Sequence, residues 1–264
     1  MLDFLYDLPN STLAFLCSAV FVGVTWLGIL FVRPFLRLWL RGQTGCNDLV
    51  SQAASGFGLL YGLLLGLLSV AAYQNLEKIQ QYVGLEAAKI GSLYRTVASY
   101  PDPTRGEIQG LLRDYILFVI HKDWPAQKRG RSISGGVERL SVIQKRLTEF
   151  EPATKTQEIL HSGALEDLKD LRDARQARVA GSLVAIPGVL WYVVLVGAGV
   201  YMVLFWLLDA RILVQLFLGG IVSFFLGVMF YLIIAMDRPT RGEVSVSANI
   251  YRAVYDNLMS WDDR

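Results

Sequence analysis

Ala54, Gly58, Gly62 and Gly66 recur at every fourth position, inside an uncharged run that extends over Ala53–Tyr73. On a helix this spacing makes one smooth face with overlapping small-xxx-small pairs. Glycine there lets a second helix backbone come close, which is how helices associate in lipid. The face has two uses open to it: packing within one chain, or a seam between chains or along a pore. Bulky apolar residues flank it. A pore at this place would therefore have an apolar narrow part, gating by dewetting rather than through a charged ring.

Residue types that carry catalysis or hold metals do not converge. His121 and His161 lie far apart in amphipathic stretches and read as surface or satisfied residues. Cys17 falls inside an apolar run and Cys46 follows it in a loop, so no zinc spacing and no disulfide framework is implied. There is no HExxH, no phosphate-binding glycine loop and no nucleophile elbow. Glu77, Glu86, Asp114 and Asp123 lack calcium-loop spacing and are expected on solvated helix faces. These patterns predict no enzyme activity, no metal and no cofactor. A net charge of +2 predicts no nucleic-acid partner.

The elements that must position the glycine face are long. Four uncharged runs, Thr12–Val32, Ala53–Tyr73, Leu183–Leu208 and Leu213–Met236, each exceed the roughly 18 apolar residues that mark a bilayer-spanning helix. The first partner is thus the lipid bilayer. The absence of charge within the runs disfavours a proton- or sodium-coupled transporter. Met1–Ser11 carries Asp3 and Asp7 and no basic residue, so the first run reads as a retained helix, not a signal peptide. Pro187-Gly188 predicts a kink within the third span. Gly219-Gly220, Ser223 and Gly227 give the fourth a small face, with Gln215 as interhelical glue.

Arg33, Arg37 and Arg41 are spaced by four after the first span. They read either as an interfacial basic face at headgroup level or as a charged end to that span. Beyond the second span, Leu76, Ile79, Val83, Ile90, Leu93 and Val97 keep a helical period up to Pro101. Thr104-x-x-Glu107 then reads as a capping box opening a helix that ends near Trp124-Pro125. Val137–Phe150 is a third amphipathic segment. Thr154-x-x-Gln157 opens a fourth, with Ile159, Leu165, Leu168 and Leu171, which feeds straight into the third span.

The expected fold is an all-α membrane protein of four transmembrane helices. A helical extramembrane domain is inserted between the second and third, built partly on extensions of those spans. The division is 1–73 for the first transmembrane pair, 74–180 for the helical domain, 181–236 for the second pair and 237–264 for a tail. Val244, Val246, Ile250, Val254 and Leu258 give that tail an apolar side to dock. Lys and Arg near the span ends are more numerous on the domain side, which places the domain in the cytoplasm. The arginines at 33, 37 and 41 count the other way.

The whole pattern resembles the bestrophin-like family of bacterial four-span membrane proteins. The matching residues are Asn47-Asp48 before the second span, the Gly-Leu-Leu-Tyr-Gly-Leu-Leu-Leu run at 58–65, and Glu86. Further matches are Trp124-Pro125, Glu151-Pro152-Ala153-Thr154, and Asp237-Arg238-Pro239 with Gly242. Thr240 stands where the family usually has Phe, and 73–75 reads Tyr-Gln-Asn where it has an aromatic residue. The resemblance covers nearly the whole chain but leaves the roles of Asn47, Asp48, Glu86, Trp124, Pro125, Asp237, Pro239 and Gly242 open. It implies a homo-oligomer in the bacterial inner membrane, a pentamer by analogy, conducting small anions through a pore lined by the second helix. No acidic cluster here could receive the bestrophin calcium clasp. The alternative is a non-conducting scaffold or sensor that binds a partner through its helical domain.

Overall fold

A computed structural model describes residues 8–40 and 46–260. Among them every regular element is helical. Helix α1 (Asn10–Leu27) passes through a π turn, Gly28–Val32, into α2 (Arg33–Leu40). Helix α3 (Cys46–Val97) is continuous for 52 residues, about 78 Å at 1.5 Å per residue. There follow α4 (Thr104–Phe118), a π turn over Val119–Asp123, α5 (Trp124–Lys128), α6 (Gly135–Thr148) and α7 (Lys155–Ser182). Helices α8 (Gly188–Leu207) and α9 (Ile212–Asp237) come next, then α10 (Asn249–Val254) and a last π turn at Tyr255–Met259. Among the described residues four helices are long and apolar enough to cross a membrane: Asn10–Leu36, α3, α8 and α9.

The chain divides into two compact units. The first takes the described residues up to Gln74, together with Ala185–Asp237 and Gly242–Val244. Its interior joins Tyr61, Leu65 and Leu68 of α3 to Val194 and Ala198 of α8 and to Leu226, Phe230 and Ile233 of α9. The Tyr61 hydroxyl donates to the Val194 carbonyl at 2.8 Å, so a phenol inside the apolar cluster is satisfied. Helices α1 and α9 cross closely because Gly227 lies directly on the backbone of Cys17 and Ser18. The hydroxyls of Thr25 and Ser223 pair at 2.5 Å along the same crossing. Gln215 donates from Nε2 to the carbonyls of Phe205 and Leu208, at 2.9 and 3.2 Å. Those are orphan carbonyls at the end of α8, which is the glue expected of this residue.

The second unit comprises Asn75–Val184, Arg238–Arg241 and the described residues from Ser245. Its core draws Ile79, Val83, Ile90 and Leu93 from α3, Ile108, Leu112 and Ile116 from α4, Leu140, Ile143 and Leu147 from α6, and Leu168 and Leu171 from α7. The tail joins it through Val246, Tyr251 and Met259, with Val254 and Leu258 packed alongside, while Ile250 stays exposed.

Several local expectations are corrected. Pro187 does not kink a span. Helix α7 ends at Ser182, the chain is non-helical across 183–187, and Pro187 is the N-cap of α8. A proline is tolerated at a helix start, where no N–H is needed. Pro125 does not end its helix either. The π turn at Val119–Asp123 widens the coil just before it and the chain continues helical through Lys128, relieving the clash a proline makes with the preceding turn. Glu107 makes no capping box, since α4 has Pro103 at its N-cap and Glu107 pairs with Arg146. Thr154 does cap α7, accepting from the Gln157 N–H at 3.2 Å, and Gln157 Oε1 accepts from the Ala153 N–H at 2.8 Å.

Candidate functional site

The small-residue face of α3 splits in two. At Gly58 an added methyl would touch the Tyr201 ring of α8 at 3.0 Å, so this glycine admits a neighbour within the chain. At Gly62 and Gly66 nothing among the described residues lies within 4 Å of the same position. Gly58 and Gly62 border a groove of about 480 Å³ with Tyr61, Leu65, Tyr201, and Ile221, Phe225 and Met229 of α9. The leucines beside it are uncovered: Leu59 is 76% exposed, Leu63 60% and Leu67 62%. Ala54 is half-buried. Among the described residues, no neighbour packs against Gly62 or Gly66 at that position.

The second constellation is a buried charge network in the second unit. Glu86 continues the apolar stripe of α3 and is fully buried. Arg178 of α7 grips it, donating from Nε to Oε2 at 2.5 Å and from Nη2 to Oε1 at 3.3 Å. Two tyrosines complete the carboxylate: Tyr115 of α4 donates to Oε1 at 2.7 Å and Tyr251 of α10 to Oε2 at 3.0 Å. Arg178 also donates to Gln127 Oε1 at 2.7 Å and to Asp123 Oδ2 at 3.0 Å. Arg175 donates to the same Asp123 oxygen at 2.8 Å. Gly136 of α6 makes room for it, since any side chain there would strike the Arg175 guanidinium.

Two carboxylates and two guanidiniums balance in charge, and each charge is hydrogen-bonded, the condition under which buried ions persist. Burial alone would raise the Asp123 carboxyl; Arg178 and Arg175 outweigh it and hold it below the ordinary carboxylate value. Burial, then the nearby Glu86 charge, push both Tyr115 and Tyr251 far above the ordinary phenol value, so both stay protonated donors. Burial opposes the charge on Arg178, but Glu86 more than restores it. The expectation that Glu86 and Asp123 lie on solvated faces is thus overturned. Glu77 and Asp114 are exposed as expected. No group of three or more His, Cys, Asp or Glu among the described residues is placed to hold a metal.

The remaining singled-out positions act locally. Asn47 Oδ1 accepts from the Asp209 N–H at 2.8 Å. Asp237 Oδ1 accepts from the Ile186 N–H at 2.6 Å, joining the end of α9 to the approach of α8. The Pro239 carbonyl accepts from Val246 at 3.0 Å, and Gly242 takes φ +78°, a left-handed conformation that favours glycine. Asp48 is exposed, and Trp124 is buried, its ring 5.7 Å from the Arg178 guanidinium carbon. Arg33 is buried and donates to the Ala210 carbonyl, so it is not part of an exposed face. Arg41 and the Arg37 side chain lie outside the described residues.

Tyr115, Gln127, Arg175, Arg178 and Tyr251 were not singled out by sequence. The available signal was Arg175 and Arg178, which prolong the Leu168–Leu171 stripe at helical spacing and so point inward.

A family model described as the bestrophin-like domain matches residues 19–251. No curated protein matches the chain. Two solved structures are similar. One is a bacterial bestrophin homologue from Klebsiella pneumoniae carrying a leucine-to-threonine substitution, with TM-score 0.72 and 13% identity, over 94% of this chain and 98% of that one. The other is a membrane protein carrying a proline-to-alanine substitution, with TM-score 0.71 and 12% identity, over 92% and 97%. At such identity the likeness shows a shared fold.

Proposed function

The chain belongs to the bestrophin-like family, and from that premise we propose that it is one subunit of an oligomeric membrane channel, with α3 at the pore and small anions as the permeant species. The observation that carries this reading is the uncovered face of α3. Leu59, Leu63, Leu67 and Val70 are exposed in a single chain, beside Gly62 and Gly66. The exposed surfaces of α1, α8 and α9 add rings to their aliphatic side chains: Phe15, Tyr192, Phe217 and Phe224. Bulky rings suit lipid. A slim aliphatic face suits helices gathered around an axis, where neighbouring backbones must come close. Such a neck would be apolar and would gate by wetting and drying.

Small anions fit because no carboxylate occurs from residue 49 to 76, so nothing along the apolar stretch would hold a cation. The charged second unit is assigned to the cytoplasm of a bacterial inner membrane, following the excess of Lys and Arg on its side. A ring of five copies follows the family plan. The test is direct. Purified protein in detergent is expected to have the mass of a closed ring, and vesicles containing it are expected to release chloride. A monomer or dimer in tight vesicles would remove the channel reading and leave a scaffold that binds a partner through the second unit.

A further inference from the structure

Three polar atoms on one stretch of chain, Asp123 Oδ1, Trp124 Nε1 and Gln127 Nε2, are buried and find no hydrogen-bond partner among the described residues. Their side chains are all more than nine-tenths buried. Each would be costly to leave unmade, and native interiors rarely leave such groups unpaired. All three belong to residues gathered on one guanidinium. Asp123 receives Arg178 through Oδ2, Gln127 receives it through Oε1, and the Trp124 ring lies beside it. The amide orientation of Gln127 is set by that contact. Turning it over would aim its N–H groups at the Arg178 donors.

We propose that Asp123, Trp124 and Gln127 form a binding site for one buried water molecule. The set is one acceptor and two donors. A water donates one hydrogen to Asp123 Oδ1 and accepts from the Trp124 indole N–H and the Gln127 amide, three bonds of the kind a buried water usually makes. A small anion fits less well, because Asp123 is held ionised by Arg175 and Arg178 and its free oxygen would repel it. A metal cation fits less well again, because two of the three atoms are donors and two arginines stand within bonding distance of the same carboxylate. The water would complete the hydrogen bonding of Asp123 and hold α5 against Arg178 without adding charge.

The test is a crystal structure of the full chain, at a resolution that shows ordered waters. The expected result is one discrete density peak within hydrogen-bond distance of all three atoms, with neither the height nor the anomalous signal of chloride. Crystals of Gln127→Met, which keeps the side-chain length and removes the amide, are expected to lose the peak or show it displaced toward Asp123. Protein density filling the site, or an anomalous peak, would overturn the proposal. So would a peak that is unchanged in Gln127→Met.

Discussion

The hydroxyl of Tyr251 and the carboxylate of Glu86 meet at 3.0 Å across 165 residues of sequence. Arg178 holds the same oxygen at 2.5 Å from the other partner helix, and Tyr115 takes the second oxygen. One buried carboxylate on α3 thus ties α4, α7 and the tail together. The apolar contacts of Val246, Val254, Leu258 and Met259 accompany that polar bond.

Tyr251→Phe removes only the bond and keeps the ring. A hydrogen bond to a charged group is worth about 1.5–3 kcal/mol, so a clear fall in melting temperature is expected. Amide exchange should speed up across 246–259 more than across α6. Unchanged exchange in the tail would mean that apolar packing alone fastens it.

Glu86→Ala should be far more damaging, because Arg178 would remain buried and lose its main partner. Breaking a buried pair on one side costs about 3–5 kcal/mol. Replacing both, as Glu86→Leu with Arg178→Met, removes the stranded charge. The double variant is expected to be more stable than either single variant bearing a lone charge, as thermal melts in detergent would reveal. A double variant less stable than both singles would contradict this account of the network.

The four spans are legible because lipid demands length and freedom from charge at once, and few other structures need both. The buried network is half legible. Glu86 fills a gap between Val83 and Ile90 on an apolar stripe, and Arg178 falls on the stripe of Leu168 and Leu171. A charge on an apolar stripe is either an interruption or a partnered interior residue. Only the fold decides, since Glu86 and Arg178 are 92 residues apart in sequence. Pro125 and Pro187 misled for a related reason. Proline marks a lost hydrogen bond, and that loss is met by a π turn in one case and by a helix start in the other.

Two glycines should respond in opposite ways. Gly227 lies on the backbone of Ser18, so Gly227→Ala must force α1 and α9 apart and is expected to lower the stability of the chain itself. Gly62 has open space beside it, so Gly62→Leu should leave each chain folded. If a neighbouring copy covers that face, the added bulk costs about 1–3 kcal/mol at each contact and the ring should dissociate. Mass measurement in detergent distinguishes the two effects. A Gly62→Leu protein that keeps its oligomeric mass and melting temperature would show that this face takes no helix.

Acid should weaken the junction of Tyr100 and His161, whose hydroxyl and Nδ1 lie 2.8 Å apart. Desolvation holds the His161 imidazole below its ordinary value of 6.5. The unfolded chain therefore takes up its proton first. The stabilising contribution is complete above about 6.5 and is lost as pH falls from there through the lower folded value. Melting temperature plotted against pH should carry this slope in the native chain and lose it in His161→Gln. Identical slopes in the two proteins would assign the acid sensitivity elsewhere.

Orientation in the membrane is testable through Cys46. Both cysteines are free, and Cys17 lies within α1 while Cys46 opens α3. A cytoplasmic second unit puts the start of α3 on the outer side of the inner membrane. A membrane-impermeant thiol reagent applied to spheroplasts should then label the native chain and Cys17→Ser, and fail on Cys46→Ser. The inverted arrangement predicts labelling only after lysis, with Cys46 reactive once the membrane is opened. The excess of Lys and Arg beside the second unit favours the first outcome. Arg33 no longer dissents as strongly as its spacing suggested, because its guanidinium is occupied by the Ala210 carbonyl and is not displayed to lipid headgroups. Labelling confined to lysed cells would therefore overturn the cytoplasmic placement and, with it, any cytosolic partner for the second unit.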